Sequence, residues 1–200
     1  MPGLINYTIP ERNFEPIRDQ IGAILFMEFE NQYLNYNPNC QIDGVYVERK
    51  APIDKEELAF INVTVISGAF DNKSAGRKDG IYQYAIDVFA KKPSEEGKPG
   101  DQESQIYMER LLGICDYILE DPQYKTLGFA AGAIGHHGVV EMQIRDQNPN
   151  DASNVAMGRL IFTIKVIEVN ALKFAPQLLT ATTAVSLNDT QFGYKYEYQA

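Results

Sequence analysis

Histidines stand together at one place in this chain, His136 and His137, inside the run GFAAGAIGHHG at 128–138. Four glycines ahead of a strand pattern invite comparison with a phosphate cradle. A P-loop, however, needs Lys and then Ser or Thr directly after its last glycine, at the start of a helix. Here the run leads into β-pattern, so it reads as a turn. Adjacent residues on a strand point to opposite faces, so the two imidazoles could not chelate one ion without distortion, and the chain has no third histidine. Glu56-Glu57 and Glu95-Glu96 lie in charged, loop-like stretches with no apolar surroundings to shift a pKa, which predicts solvated surface. Nucleophile signatures such as G-x-S-x-G and S-x-x-K are absent from the sequence. Cys40 and Cys115 lack metal-ligand spacing, and Cys115 falls mid-helix on an apolar stripe, where a thiol packs as a small hydrophobe. Both thiols are expected reduced. These residues predict a protein that is not an enzyme and needs no cofactor or metal.

Composition points the same way. The chain has 27 Asp and Glu against 18 Lys and Arg, a net charge of −9 shared between its halves as −4 and −5. Phosphate backbones are held by clustered Lys and Arg, so tight nucleic-acid binding is not expected. With 200 residues and 44% apolar composition the chain can bury one substantial core. The start, MPGLINYTIPERNFE, has neither a basic n-region nor an apolar h-region, and no apolar run approaches a membrane span, so a cytosolic protein is expected.

Helical spacing is clearest twice. Asn13 offers a cap for a helix with Ile17, Ile21, Ile24 and Leu25 on one face, ended by the Asn-rich turn at 35–39. A second helix, capped near Ser104, places Tyr107, Leu111, Ile114, Cys115 and Ile118 on one stripe, widened by Met108, Leu112 and Leu119, until Asp121-Pro122 stops it. Period-two alternation marks strands at 44–49, 60–66 and 81–90, with Tyr82, Tyr84, Ile86, Val88 and Ala90 sharing a face. Opposite them stand Glu48, Asn62, Gln83 and Asp87, so one side of the sheet should be wet or pressed against polar groups. Segment 68–80, GAFDNKSAGRKDG, reads as a long loop. Strands at 139–145 and 157–169, parted by RDQNPNDAS, should pair antiparallel, and the second could reach roughly 40 Å. The expected fold is α+β: a mainly antiparallel sheet with two principal helices packed on it. Residues 1–13 form an arm, 14–169 the single domain, and 170–200 an extension, either a β-hairpin or an assembly arm.

The segment GVYVERKAPIDKEELAFINVTV at 44–65 resembles the early β-hairpin region of tail terminator subunits of long-tailed bacteriophages. In order along the chain, RDQIGAILFMEF, GIYQYAIDVFA, MERLLGICDYILEDPQYKTLG and AMGRLIFTIKVIE agree with it, so the likeness covers about residues 14–169. The resemblance implies a structural virion protein forming a ring, commonly of six subunits, made in the bacterial cytoplasm. Such a ring caps the tail tube and joins it to the head-tail connector or neck proteins, with a sheath or collar as a further partner. DNA would pass its lumen without specific binding, and an acidic wall suits that passage.

A ring needs a heterologous interface, for which long strands with exposed edges are suited, and 81–90 and 157–169 are the candidates. Tyr82, Tyr84, Arg159 and Lys165 are the candidate interface residues, with core packing the open alternative for both tyrosines. Asp71, Lys73, Arg77, Lys78 and Asp79 form the candidate assembly loop. The rival reading is a small-ligand or carbohydrate-binding module that uses the Tyr-rich strands and segment 68–80.

Overall fold

In a computed structural model the described residues are 8, 11–51, 53, 56–74, 77–94, 97, 99–145, 154–167, 180–186 and 193–199. At 72–74, 77–78, 145, 180–186 and 193–199 the backbone alone is described.

Helix α1, Phe14–Asn35, buries Ile17, Ile21, Ile24, Leu25 and Phe29, the face that its spacing predicts. Its start differs from expectation. Asn13 is itself helical (φ −57°, ψ −25°) and its side chain makes no cap bond. Instead Glu15 reaches back one turn and its carboxylate accepts the Arg12 N–H at 3.2 Å, the kind of reach-back that satisfies an orphan donor. The Asn-rich turn closes the other end: the Asn37 carboxamide accepts from Asn39 N at 3.1 Å, and a 3₁₀ turn follows at Pro38–Cys40.

Helix α2, Gly100–Glu120, begins four residues before the expected cap. Ser104 is fully buried inside it. Its Oγ accepts from Lys92 N (2.7 Å) and lies 2.6 Å from both the Gly100 and Asn154 carbonyls, to one of which it donates. A serine that looks like a cap therefore ties the helix to the strands on either side of it. The stripe Met108, Leu111, Leu112, Cys115, Ile118 and Leu119 is buried as its spacing predicts, and Asp121-Pro122 ends the helix.

Five strands form one sheet in the order β1-β2-β3-β5-β4: β1 Gly44–Val47, β2 Ala59–Ser74, β3 Arg77–Lys91, β4 Ile134–Arg145 and β5 Val155–Ile167. All neighbouring pairs are antiparallel except β1 with β2. The fold is thus α+β, a mostly antiparallel sheet with two helices. Both helices lie on one face. α2 covers β3, β4 and β5, and α1 covers β1 and β2. Cross-strand rows on that face run Val63, Ile86, Leu160, Met142 and Ile61, Val88, Gly158, Ile144. At Gly158 a Cβ would stand against the Met108 sulfur and 3.0 Å from Leu112, so the missing side chain lets α2 lie close on the sheet. A separate two-stranded antiparallel sheet is made by β6, Thr180–Ser186, and β7, Gly193–Gln199. No helix among the described residues is long and apolar enough to cross a membrane.

Three expectations change. Segment 44–65 is not a hairpin, because its two strands run parallel: Val45 pairs with Ile61 and Val47 with Val63. Segment 68–80 is not a loop but the outer half of a long β2–β3 hairpin, paired from Gly68↔Tyr82 through Asn72↔Lys78. Its glycines and charges mask an alternation that continues, broken by irregularities at Val65/Ser67 and Asn72/Ser74. The strand β4 also starts earlier than predicted, so that His136 and His137 belong to it.

Candidate assembly surface

The parallel pair β1–β2 needs a crossover, and residues 48–58 supply it in about the shortest length that such connections allow. Glu48 takes a left-handed backbone (φ 54°), which a side chain rarely adopts. The turn is held from both sides. Glu48 N donates to Val63 O at 3.0 Å, and the Glu48 carboxylate accepts from Val65 N at 2.9 Å, continuing the ladder with a side chain where β1 has ended. Asp43 receives the Leu58 and Ala59 N–H groups at 2.6 and 2.8 Å, and Asn62 exchanges two hydrogen bonds with the backbone of Arg49.

Arg49 and Glu57 close the crossover with a bidentate ion pair at 2.6 and 2.7 Å, on side chains only 12% and 15% exposed. The guanidinium also lies 4.5 Å from the Tyr46 ring centre and 4.2 Å from that of Phe60. Tyr46 donates to Glu57 at 3.2 Å, and burial, then the nearby carboxylate, raises its pKa. Glu57 is therefore not solvated surface as its charged surroundings predict. A separation of eight residues across a connector carries no sequence signal for such a pair. Glu95 and Glu96 lie outside the described residues.

The four candidate interface residues fall on two faces. Tyr82 and Tyr84 point under the helices and are 3% and 0% exposed. The Tyr84 hydroxyl donates to Phe14 O at 3.1 Å, and the Tyr82 ring meets Phe14 and Phe70 edge-on at 5.8 and 5.7 Å. Both tyrosines belong to the chain's own core rather than to an outward surface, which corrects their proposed anchoring role. Arg159 and Lys165 stand on the helix-free face. Arg159 grips Asp87 through two hydrogen bonds of 2.6 and 2.8 Å, and Lys165 is exposed, across from Ile81. Asp71 and Asp79 oppose each other across the β2–β3 hairpin. Lys73, Arg77 and Lys78 have strand backbone there, and their side chains lie outside the described residues.

The strands expected to offer edges do not. β3 lies between β2 and β5, and β5 between β3 and β4, so 81–90 and, of the second candidate, 157–167 are interior, while 168–169 lie outside the described residues. The true margins of the sheet are β4 on one side and β1, with β2 beyond it, on the other. Each carries apolar side chains into solvent, and the two sets differ. Along β4 these are Val140 (60% exposed), Met142 and Ile144, and on the opposite flank Phe26, Met27 and Leu34 of α1 join Val47 of β1. There Phe26, Glu30, Tyr33 and Ile42 also line a shallow cleft of about 170 Å³. Helix α1 is apolar on its outer side as well as its inner one, a pattern expected of a helix that meets something on both sides.

Two larger clefts, of about 340 and 260 Å³, flank Arg110 beside α2. Of the phenols that line them Tyr117 is exposed, whereas two are tied to the protein, Tyr124 donating to Glu28 and Tyr107 to Gln41 O. Burial foremost raises both pKa values to about 12. Cys40 and Cys115 are free and fully buried, and burial pushes both thiols up, away from nucleophilic chemistry. His137 Nε2 lies 2.9 Å from the Lys125 carbonyl and so carries the proton, while its ring packs 5.4 Å from Phe162; His136 is exposed. Among the described residues no group of three His, Cys, Asp or Glu could hold a metal.

No family model matches the chain, and no curated protein matches it.

Proposed function

We propose that the chain is a structural subunit of a bacteriophage tail neck, of the tail terminator kind. In this reading copies join head to tail into a ring on the finished tail tube, and the ring meets the head-tail connector. The observation that carries it is the pair of unlike apolar flanks on opposite margins of one sheet, Val140, Met142 and Ile144 against Phe26, Met27, Leu34 and Val47. One flank meeting a different flank is a heterologous contact, which closes into a ring when the rotation per copy divides a full turn. The charge of −9 agrees with a lumen that passes DNA without holding it. Membership of the virion and six-fold symmetry follow from the family resemblance.

The alternative, a carbohydrate-binding module, gets no support from Tyr82 and Tyr84, whose rings are buried beneath α1. Purified chain added to purified tail tubes, viewed in negative stain, is the test. Rings seated on tube ends, lost in Val140→Lys, support the proposal, and bare tube ends with the unmodified chain overturn it.

A further inference from the structure

We infer that the cleft between α1 and the C-terminal half of α2 binds a small aliphatic cation, an ammonium on a short apolar stem. The cleft lies within one copy, so its chemistry is independent of whether copies form a ring.

The two helices and the turn after α2 build the site, whose volume is about 340 Å³. Half-buried Ile114 and buried Ile118 give it apolar surface, Glu28 lines it from α1, and Asp121 and Tyr124 line it past the end of α2. The Tyr117 ring is 75% exposed and joins the lining. One turn before it, a Cβ added at Gly113 would meet none of the described residues within 4 Å, so there is room beside the ring.

Charge decides what fits that room. The C-terminus of a helix carries partial negative charge, which Lys or Arg in the last turn ordinarily balances. The last turn of α2 has neither, and Asp116, Glu120 and Asp121 stand at that end instead. Burial, then Glu120, raises the Asp116 pKa, and burial foremost, then Glu28 and Asp121, raises that of Tyr124 to about 12. Arg110 also lines the cleft, but it stands about 15 Å back from the end of α2 and borders the neighbouring cleft as well. Lys125, in the turn beyond α2, is exposed. A carboxylate has about four acceptor positions. Tyr124 takes one on Glu28, and Gln123 N–H takes one on Asp121 at 2.9 Å, so both can also receive an ammonium.

The neighbouring cleft shows this chemistry already occupied. There Lys92 holds its ammonium 4.0 Å from the centre of the Tyr107 ring, and Glu103, one turn before Tyr107, lines the same space. An aliphatic stem ending in a cation over a tyrosine, with a carboxylate nearby, is thus a contact that α2 makes once with the chain's own lysine. Tyr117, with Asp121 four residues on and Glu28 across from it, repeats the pairing at the other end of the helix.

Titrating the purified chain with n-pentylamine at neutral pH, followed by amide NMR, tests this. Saturating shifts should concentrate at Gly113, Tyr117, Asp121 and Tyr124. Glu28→Gln or Asp121→Asn should weaken binding about tenfold, as should replacing the probe by pentanol, which keeps the stem and lacks the charge. Gly113→Leu fills the cleft at a position with room for a side chain and favours the helix, so it should abolish binding with no loss of stability in urea. Glu109→Gln, on α2 outside the cleft, should leave the affinity unchanged. A capped lysine that binds more tightly than pentylamine supports the site with a protein side chain as its ligand, and the reverse order supports it with a free amine. Amides at 113–124 that do not move, equal affinity for pentanol, or full binding by folded Gly113→Leu and Glu28→Gln variants would each overturn the inference and leave the ring reading standing.

Discussion

The two faces of the five-stranded sheet make opposite demands on their side chains. Beneath the helices, Ile61, Val63, Tyr84, Ile86, Val88, Leu160, Phe162 and Ile164 are at 0% exposure, and their burial is set by α1 and α2. On the other face no helix of the described residues lies, yet Asn62 and Asp87 are only 6% and 5% exposed, held by their own neighbours: Arg159 on Asp87, and the Arg49 backbone on Asn62. The first face is specified by hydrophobic area, whereas the second joins paired charges and hydrogen bonds to smaller apolar contacts, with Phe60 stacked on Phe89 at 4.6 Å. The margins of the sheet follow neither rule, since they expose apolar side chains that no other described residue covers.

That contrast orders the effects of substitution. Phe162→Ala, under α2, should cost about 3–5 kcal/mol in urea unfolding, because it leaves a cavity beneath a helix. Asp87→Ala, on the open face, should cost about 2 kcal/mol by the same measurement, less than a deeply buried pair would, since Arg159 keeps 24% of its side chain in water. A value for Asp87→Ala as large as that for Phe162→Ala would erase the distinction between the faces. Glu57→Gln should cost about 1–2 kcal/mol by loosening the crossover. It should also bring the Tyr46 titration, followed by ultraviolet absorbance, down toward its ordinary range. At the margin, Val140→Lys should leave the unfolding free energy within about 0.5 kcal/mol of the unmodified chain.

Alkaline pH probes the helix layer separately. Burial, then the charges of Cys40 and Asp43, raises the Tyr107 pKa to about 12, and burial, then its hydrogen bond to Glu28, does the same to Tyr124. The unfolded chain would ionise these phenols near 10, so their contribution to stability is intact below pH 10 and is lost between there and about 12. Denaturant midpoints across that window should fall, and Tyr107→Phe should make the fall shallower.

The sequence showed the inner face far better than the outer one, for a physical reason. The stripe of α2 and the alternation through Tyr82 to Ala90 are local periodicities, and local periodicity survives in a single sequence. The parallel pairing of β1 with β2 depends on a crossover whose clamp, Arg49 with Glu57, forms only once the chain has folded. Ser104 resembles a cap because its partner Asn154 arrives from fifty residues away. The strand halves within 68–80 were hidden by glycine, although Gly68 is where the Tyr82 ring lies, with a Cβ there 2.9 Å from it. Candidate edges were misplaced because strand order is not encoded in strand length: the long β5 lies inside the sheet and β4 at its margin. Tyr82 and Tyr84 could be assigned to a face by alternation, but not to the covered face rather than the open one.

The measurement that bears most directly on the central claim is static light scattering of the purified chain over a concentration series, alone and beside tail tubes. A closed assembly of fixed stoichiometry is expected, dispersed to monomers by Val140→Lys while the fold persists. Monomer at every concentration in both settings, for the unmodified chain, would contradict it.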